Sequence, residues 1–169
     1  MQNKEEPVYK YFAEDDHVFI KVNGRAYLHN CVSLKQFLHA QITSGGRHFA
    51  IDFNQCSSMD STFLGILVGV VLELLKADPP GSMTLLQLGE RNLDVVRNLG
   101  VHRLVSVDSG DSKMNFSNAK EVTSNSGDDQ VDEPLIRDAH LRLSELNENN
   151  ARLFQDVVSF LEVNQEDQT

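Results

Sequence analysis

The residues best suited to chemistry lie in one short segment, Ser57-Ser58-Met59-Asp60-Ser61-Thr62, at the start of a long apolar run. Asp60 directly precedes a predicted helix, where its carboxylate can accept hydrogen bonds from N–H groups that the first turn leaves without partners. Such a cap typically stabilises a helix by about 1 kcal/mol. From residue type alone, a structural role for Asp60 and Ser61 as helix caps is the favoured interpretation.

Common catalytic and metal-binding patterns are missing from the sequence. No histidine belongs to a His-Glu-x-x-His pair, no glycine-rich segment has the spacing of a phosphate-binding loop, and no Gly-x-Ser-x-Gly elbow is present. A Ser-His-Asp triad stays open, because its members meet only in three dimensions. We predict a protein that is not an enzyme, with no catalytic residue, no metal and no cofactor.

The elements that would position this segment alternate between strands and helices. Apolar stretches and helical spacing predict strands at residues 8–12, 17–22, 48–53, 82–88 and 103–107 and helices at residues 33–42, 61–76 and 90–98. Asn23-Gly24 is a turn signal that predicts a hairpin into a further strand at residues 25–28, and the polar residues 54–60 are predicted to form a loop. This order predicts an α/β domain at residues 1–107, with a mixed sheet and helices packed against it.

The predicted helix at residues 61–76 is apolar on all sides, which predicts burial of most of its faces. Gly65 and Gly69 share one face, where we expect them to let the helix lie close against the sheet. A membrane meaning of this glycine spacing would require a spanning segment of about 20 apolar residues. The longest apolar run, residues 63–75, is too short, so we expect no membrane association.

The net charge of −10 is concentrated in the C-terminal part of the chain. Residues 1–105 carry 11 acidic and 10 basic side chains, whereas residues 106–169 carry 14 acidic and 5 basic ones. Nucleic-acid binding requires clustered Lys and Arg, so this distribution argues against it. Cys31 and Cys56 lack Cys-x-x-Cys spacing and are expected to be buried reduced thiols. The first residues lack the apolar stretch of a secretory signal, and we expect a cytoplasmic protein.

The C-terminal third is predicted to consist of a linker and a helix. Residues 108–133 contain almost no large apolar side chains, which predicts an acidic flexible linker. An amphipathic helix is predicted at residues 134–163, followed by a disordered tail at residues 164–169. The apolar seam of this helix has heptad spacing and comprises Ile136, Ala139, Leu143, Leu146, Asn150, Leu153, Val157 and Phe160. Two alternatives stay open: a homodimeric coiled coil through residues 134–163, in which Asn150 fixes the register, or docking on the helix's own domain.

The central segment resembles the signature of STAS domains, the fold shared by bacterial anti-sigma-factor antagonists. The resemblance rests on Ile51-Asp52-Phe53 followed by Met59-Asp60-Ser61-Thr62-Phe63-Leu64-Gly65. Family members have an apolar strand with Asp that leads to Met-Asp-Ser-Ser/Thr-Gly-Leu-Gly at a helix start. Val22-Asn23-Gly24-Arg25 and Asn98-Leu99-Gly100-Val101 match further parts, so the resemblance spans about residues 8–107. It implies a STAS-like mixed sheet with helices packed against it.

The resemblance also implies a functional site. In the family, the serine directly after the aspartate is phosphorylated, which makes Ser61 the expected phosphoacceptor, with Thr62 as second choice. The expected partner-binding residues are Gly24, Arg25, Ser58, Met59, Asp60, Ser61, Thr62 and Phe63. Phe63 stands where the family prefers Gly, and we expect its ring beside the contact surface. We expect the Ser61 hydroxyl to be exposed at the first turn of the helix.

By the same resemblance, the expected partner is an anti-sigma factor that is also a serine kinase of the histidine-kinase ATPase type. A phosphatase is a further candidate partner. The expected function is therefore a regulatory protein-binding module that phosphorylation switches. The alternative is a non-phosphorylated STAS scaffold or adaptor that assembles a signalling or transport complex, because a fold alone does not determine function.

Overall fold

A computed structural model of the protein describes residues 7–110, 114–123 and 133–166. Within them, six strands form one mixed sheet in the order β5-β4-β3-β2-β1-β6. Strand β1 pairs antiparallel with β2 and β6, whereas β2, β3, β4 and β5 are parallel neighbours. The strands are β1 Tyr9–Glu14, β2 His17–Ala26, β3 His48–Met59, β4 Ser82–Leu86, β5 Ser106–Asp108 and β6 Lys120–Glu121.

Five α-helices accompany the sheet in the described residues, together with one 3₁₀ turn at Val101–Arg103. They are α1 Cys31–Thr43, α2 Ser61–Lys76, α3 Glu90–Asn98, α4 Glu133–Ser144 and α5 Glu148–Glu166. The predicted α/β class, with a mixed sheet and helices packed against it, is confirmed.

Helix α2 lies between the sheet and α4. On the sheet side, the ring of Phe63 meets Phe53 of β3 edge-on, with centroids 6.2 Å apart. On the opposite side, Gly65 faces the backbone of Ala139 in α4. This double contact explains why α2 is apolar on all sides, since a helix covered on two sides has no polar stripe. The expectation that Gly65 lets α2 approach the sheet is wrong: it lets α4 approach α2.

The predicted hairpin at Asn23-Gly24 is wrong. Strand β2 runs through both residues to Ala26, and Gly24 has a positive φ of 81° within it. The register between β2 and β3 shifts on either side of this glycine, as at a β-bulge. The predicted loop at residues 54–60 is also wrong, because β3 continues to Met59. Parallel pairing of the two strands outweighs both local signals.

The predicted single helix at residues 134–163 is interrupted. Helix α4 ends at Ser144 and α5 begins at Glu148, after the side chain of Asn147 accepts a hydrogen bond of 2.9 Å from the N–H of Asn150. This Asx-type cap starts a new helix and changes the direction of the chain. The expected seam is split accordingly, since Ala139 and Leu143 are buried. Further along, Leu153, Val157 and Phe160 are 63%, 38% and 66% exposed.

The predicted linker at residues 108–133 contains an edge strand. Strand β6 pairs with β1, and Val122 beside it is buried. Residues 111–113 and 124–132 of this linker lie outside the described residues. Helix α5 extends into the predicted tail as far as Glu166, and residues 167–169 lie outside the described residues. The division of the chain at residue 107 stays a prediction.

Candidate functional site

Asp60 joins the start of α2 to the chain segment that follows β2. Its Oδ1 accepts a hydrogen bond of 2.9 Å from the N–H of Phe63, and its Oδ2 accepts one of 2.8 Å from the N–H of Leu28. The first bond satisfies an N–H group that the helix cannot pair internally. The predicted cap is therefore confirmed for Asp60, and the second bond fixes where the segment after β2 lies.

A small polar network holds that segment in place. The side-chain oxygen of Asn30 accepts bonds from the Tyr9 hydroxyl at 2.9 Å and from the Tyr27 N–H at 3.0 Å. The Asn30 amide donates to the carbonyl oxygen of Arg25 at 2.6 Å. Burial raises the pKa of Tyr9 far above its ordinary value, so its hydroxyl stays a hydrogen-bond donor. The backbone around Arg25 is thereby fixed relative to the sheet.

The predicted partner-binding residues at the ends of β2 and β3 are neighbours. In the parallel ladder, Gly24 lies beside Cys56, Arg25 beside Ser58, and Ala26 beside Met59. Arg25 is exposed, and its guanidinium lies 4.2 Å from the centre of the Tyr27 ring. The ends of β2 and β3 thus form one rim next to the start of α2. Arg25 and Met59, which both belong to this rim, are 34 residues apart in the sequence.

The other end of the predicted surface turns inward. Thr62 is 4% exposed and Phe63 is fully buried against the sheet. The expectation that the Phe63 ring lies beside the contact surface is wrong, because the third position of α2 points at the core. In this arrangement neither side chain is available to a partner.

Ser61, the first residue of α2, is half-buried rather than exposed. Its Oγ lies 2.9 Å from Nε2 of His140 in α4, and Nδ1 of the same ring lies 2.8 Å from the carbonyl oxygen of Ile136. A carbonyl only accepts, so Nδ1 carries a proton and donates to it. In the neutral ring Nε2 is then an acceptor, and the Ser61 hydroxyl donates to it. The expectation of an exposed hydroxyl is wrong, because α4 docks over it.

The surroundings of His140 are chiefly apolar. Its ring contacts Phe154 of α5 with centroids 5.3 Å apart. A cavity of about 430 Å³ borders Ser61 and His140 and is lined mainly by Leu99, Phe154 and neighbouring apolar side chains. The Asn150 amide, buried next to it, donates to the carbonyl oxygens of Leu99 at 2.7 Å and Leu143 at 2.9 Å. Helix α5 thus packs against the part of α4 that contacts Ser61 and stabilises its position.

Sequence reasoning did not identify the contacts that two residues of α4 make with the start of α2. His140 lies outside the heptad seam, and Ala139 was a seam residue without an assigned contact. The available signal was the apolarity of α2 on all sides, together with Gly65, which indicates a second packing partner besides the sheet.

Other chemistry in the described residues is limited. No group of three or more His, Cys, Asp or Glu side chains is arranged for a metal within the part of the chain that the structure describes. None of the described helices is long and apolar enough to cross a membrane. Cys31 and Cys56 are buried and unpaired, as predicted. Burial raises the pKa of Cys31 to about 12 and also raises that of Cys56, so both stay thiols at neutral pH.

Three solved structures with a similar fold are informative. An anti-sigma factor antagonist from Mycobacterium paratuberculosis superposes with a TM-score of 0.55 at 14% identity and covers 65% of this chain and 92% of its own. The Bacillus cell fate determinant SpoIIAA, in its phosphorylated form, gives 0.50 at 21% identity, covering 61% and 92%. A Thermotoga maritima protein proposed to be an anti-sigma factor antagonist gives 0.56 at 19% identity, covering 61% and 87%.

These likenesses concern the fold. No protein-family model matches the sequence, and no curated protein sequence matches it significantly. At these identities, the structures confirm the STAS-type α/β fold that the resemblance implied. Each leaves more than a third of this chain without a counterpart.

Proposed function

We propose that the protein is an anti-sigma-factor antagonist whose partner binding is switched by phosphorylation of Ser61. The partner is an anti-sigma factor that is also a serine kinase of the histidine-kinase ATPase type, and a phosphatase restores the binding form. The observation that carries the proposal is the placement of Ser61 at the first turn of the 16-residue helix α2, next to the rim formed by Arg25, Ser58 and Met59. The fold shared with anti-sigma factor antagonists supports the same role. We place its action in the cytoplasm.

The switch is electrostatic. A phosphate on Ser61 adds about −1.5 to −2 charges at neutral pH. The free domain tolerates that charge because the N-terminus of a helix favours anions. In a close interface the same charge is desolvated without a partner, which costs several kcal/mol. Bacillus SpoIIAA, which shares the fold, has been solved in a phosphorylated form. Thr62 stays the second candidate acceptor, although its burial makes it the less accessible hydroxyl.

A second candidate function is a non-phosphorylated scaffold or adaptor. The observation that favours it is the hydrogen bond from Ser61 to His140, because α4 then lies against the hydroxyl that a kinase would have to reach. The exposed side chains of Leu153, Val157 and Phe160 on α5 would then serve as an assembly surface. A homodimer through residues 134–163 is part of this second proposal.

The test is to compare binding and modification in variants of the full chain. We expect mass spectrometry of protein from its own cells to find a phosphate on Ser61, and an ATPase of the histidine-kinase type to co-purify with Ser61→Ala. Ser61→Asp should bind that ATPase about 100-fold more weakly, which corresponds to about 2.7 kcal/mol. The matched charge control is Ser82→Asp. Ser82 is exposed and pairs with His48 at the opposite end of β3, roughly 35 Å away along the strand.

Two results would contradict the proposal. One is equal binding of the ATPase by Ser61→Asp and Ser82→Asp. The other is the absence of phosphate from Ser61 and Thr62 under all growth conditions, which would favour the scaffold. Sedimentation of the full protein at several concentrations tests the homodimer, and a monomer throughout would remove it.

A further inference from the structure

The contact between α2 and α4 is unusually close at one point. Gly65 has no side chain, and a Cβ built on it would lie 2.6 Å from the carbonyl carbon and 2.7 Å from the Cα of Ala139. Real Cβ atoms essentially never come so close to backbone, so any larger residue at position 65 would exclude α4 from this position. One turn before Gly65 on α2, the Ser61 hydroxyl donates a hydrogen bond to His140 of α4. The two contacts together cover the start of α2.

Helix α4 depends on its packing against α2 and α5 for its stability. It has 12 residues, fewer than an isolated helix needs to be stable in water. Its buried side chains lie on one face and comprise Leu135, Ala139, His140 and Leu143. The face that covers Ser61 is therefore also the face that holds α4 in a helix.

Helix α4 also lies where a kinase or a binding partner would have to contact Ser61. The Oγ that would carry a phosphoryl group lies 2.9 Å from Nε2 of His140, so α4 stands directly beside it. A kinase must reach the same oxygen, and a partner that contacts Ser61 must replace the imidazole. Modification, partner binding and docking of α4 therefore use the same surface.

We propose that α4 is an intramolecular competitor for the Ser61 surface, so that the protein binds its partner only when α4 is displaced. This inference rests on the proposed function of Ser61 for its biological meaning, but the displacement itself is a property of this chain alone. The surface of α2 along Ser61 and Gly65 is a helix-binding surface, and α4 is the helix that occupies it in the closed form.

Gly65→Ala opens the closed form without altering any residue of α4, and Gly69→Ala is its matched control. The control makes the same change on the same helix, but a Cβ on Gly69 meets no atom within 4 Å. In Gly65→Ala we expect the amides of α4 to exchange hydrogen roughly 10- to 100-fold faster than in Gly69→Ala. The amides of β2, β3 and β4 should keep their protection in both variants.

Accessibility of position 61 gives a second readout. Ser61→Cys combined with Gly65→Ala should react with iodoacetamide about 10-fold faster or more than Ser61→Cys combined with Gly69→Ala. The background is low, because Cys31 and Cys56 are buried thiols. The site of labelling is read by peptide mass mapping.

A variant on the other side of the contact protects the test against misfolding of α2. Ala139→Leu enlarges the residue that faces Gly65 and leaves α2 unchanged, and it should also release α4. The proposal is overturned if both Gly65→Ala and Ala139→Leu keep α4 protected. It is equally overturned if the sheet amides lose protection together with α4, because α4 would then belong to the cooperative core.

Binding of the partner is tested separately from the release of α4. If α4 is released but Ser61 is neither phosphorylated nor bound by an ATPase, the proposed function fails and the intramolecular cover stands. If both proposals hold, Ala139→Leu should bind the ATPase about 10-fold more tightly than the unaltered chain, because α4 is already displaced and the surface of α2 is unchanged.

Discussion

The two sides of α2 are buried by different means. Toward the sheet, large side chains such as Phe63, Leu64 and Leu67 are fully buried and fill the core. Toward α4, a glycine meets the backbone of an alanine, and one serine hydroxyl meets one histidine. Close packing of large side chains makes the first contact costly to open, because each buried ring or methyl group would be exposed to water. On the second side α4 also buries Leu135 and Leu143, but its closest approach depends on one glycine–alanine contact and one hydrogen bond, so we expect this side to be the one that opens.

The two sides of α2 therefore have different roles: the sheet side holds the fold together, and the α4 side covers Ser61. The sheet side positions Ser61 at the end of β3 through Asp60, whichever state α4 is in. The α4 side decides whether Ser61 can be reached. Helix α2 thus belongs to the core along one side and provides a docking surface for α4 along the other.

The largest effect on the free energy of unfolding is expected for a substitution on the side of α2 that faces the sheet. Phe63→Ala should lower the free energy of unfolding by about 3–5 kcal/mol, because it leaves a cavity against Phe53. Leu75→Ala, on the same helix but half exposed, should change it by no more than about 0.5 kcal/mol. Urea denaturation of the full chain measures both. A loss below about 1 kcal/mol for Phe63→Ala would show that this side is no more costly to open than the other.

An intermediate effect tests how α5 supports the cover. Asn150→Ala removes two buried hydrogen bonds to carbonyl oxygens and should destabilise the docking of α4 and α5 by about 1–3 kcal/mol. Its neighbour Asn149 is exposed, so Asn149→Ala is the control. Hydrogen exchange in α4 and α5 should increase in Asn150→Ala alone. Equal exchange in both variants would mean that the buried amide does not hold α4 and α5 in place.

The smallest expected effect belongs to the contact at Ser61 itself. A double-mutant cycle of Ser61→Ala and His140→Ala should give a coupling energy of about 1 kcal/mol, the usual net value of one hydrogen bond. The readout is the free energy of opening of α4, taken from hydrogen exchange. A coupling near zero would reduce the cover to the Gly65–Ala139 contact.

Several parts of this molecule could be predicted because their signals are local. The predicted bounds of α2 and α3 match the structure, since Asp60 caps one helix and Asp78-Pro79-Pro80 ends it, and Gly100 follows the other. The placement of Ser61 at the start of a buried helix followed from the same signals. The resemblance then supplied the expected roles of Ser61 and Arg25, which composition and spacing alone did not.

Other parts failed because a long-range contact outweighed a local preference. Asn23-Gly24 is a strong turn signal, yet pairing with β3 keeps the chain extended and uses Gly24 for a bulge. The heptad seam predicted one helix, yet the Asn147 cap divides it, so that α4 docks on α2 while Leu153, Val157 and Phe160 of α5 stay exposed. In both cases the local signal was real, but the structure used it for another purpose.

The sequence by itself determined the class of fold, the cap at Asp60, the position of Ser61 on the chain and the amphipathic nature of residues 134–163. Each of these depends on residues within a few positions of one another, where periodicity and capping chemistry act directly. Only the tertiary structure decided that Ser61 meets His140, 79 positions away, and that Gly65 receives Ala139. Docking of one amphipathic face on another is set by the shape of the two surfaces, and shape exists only once the chain has folded.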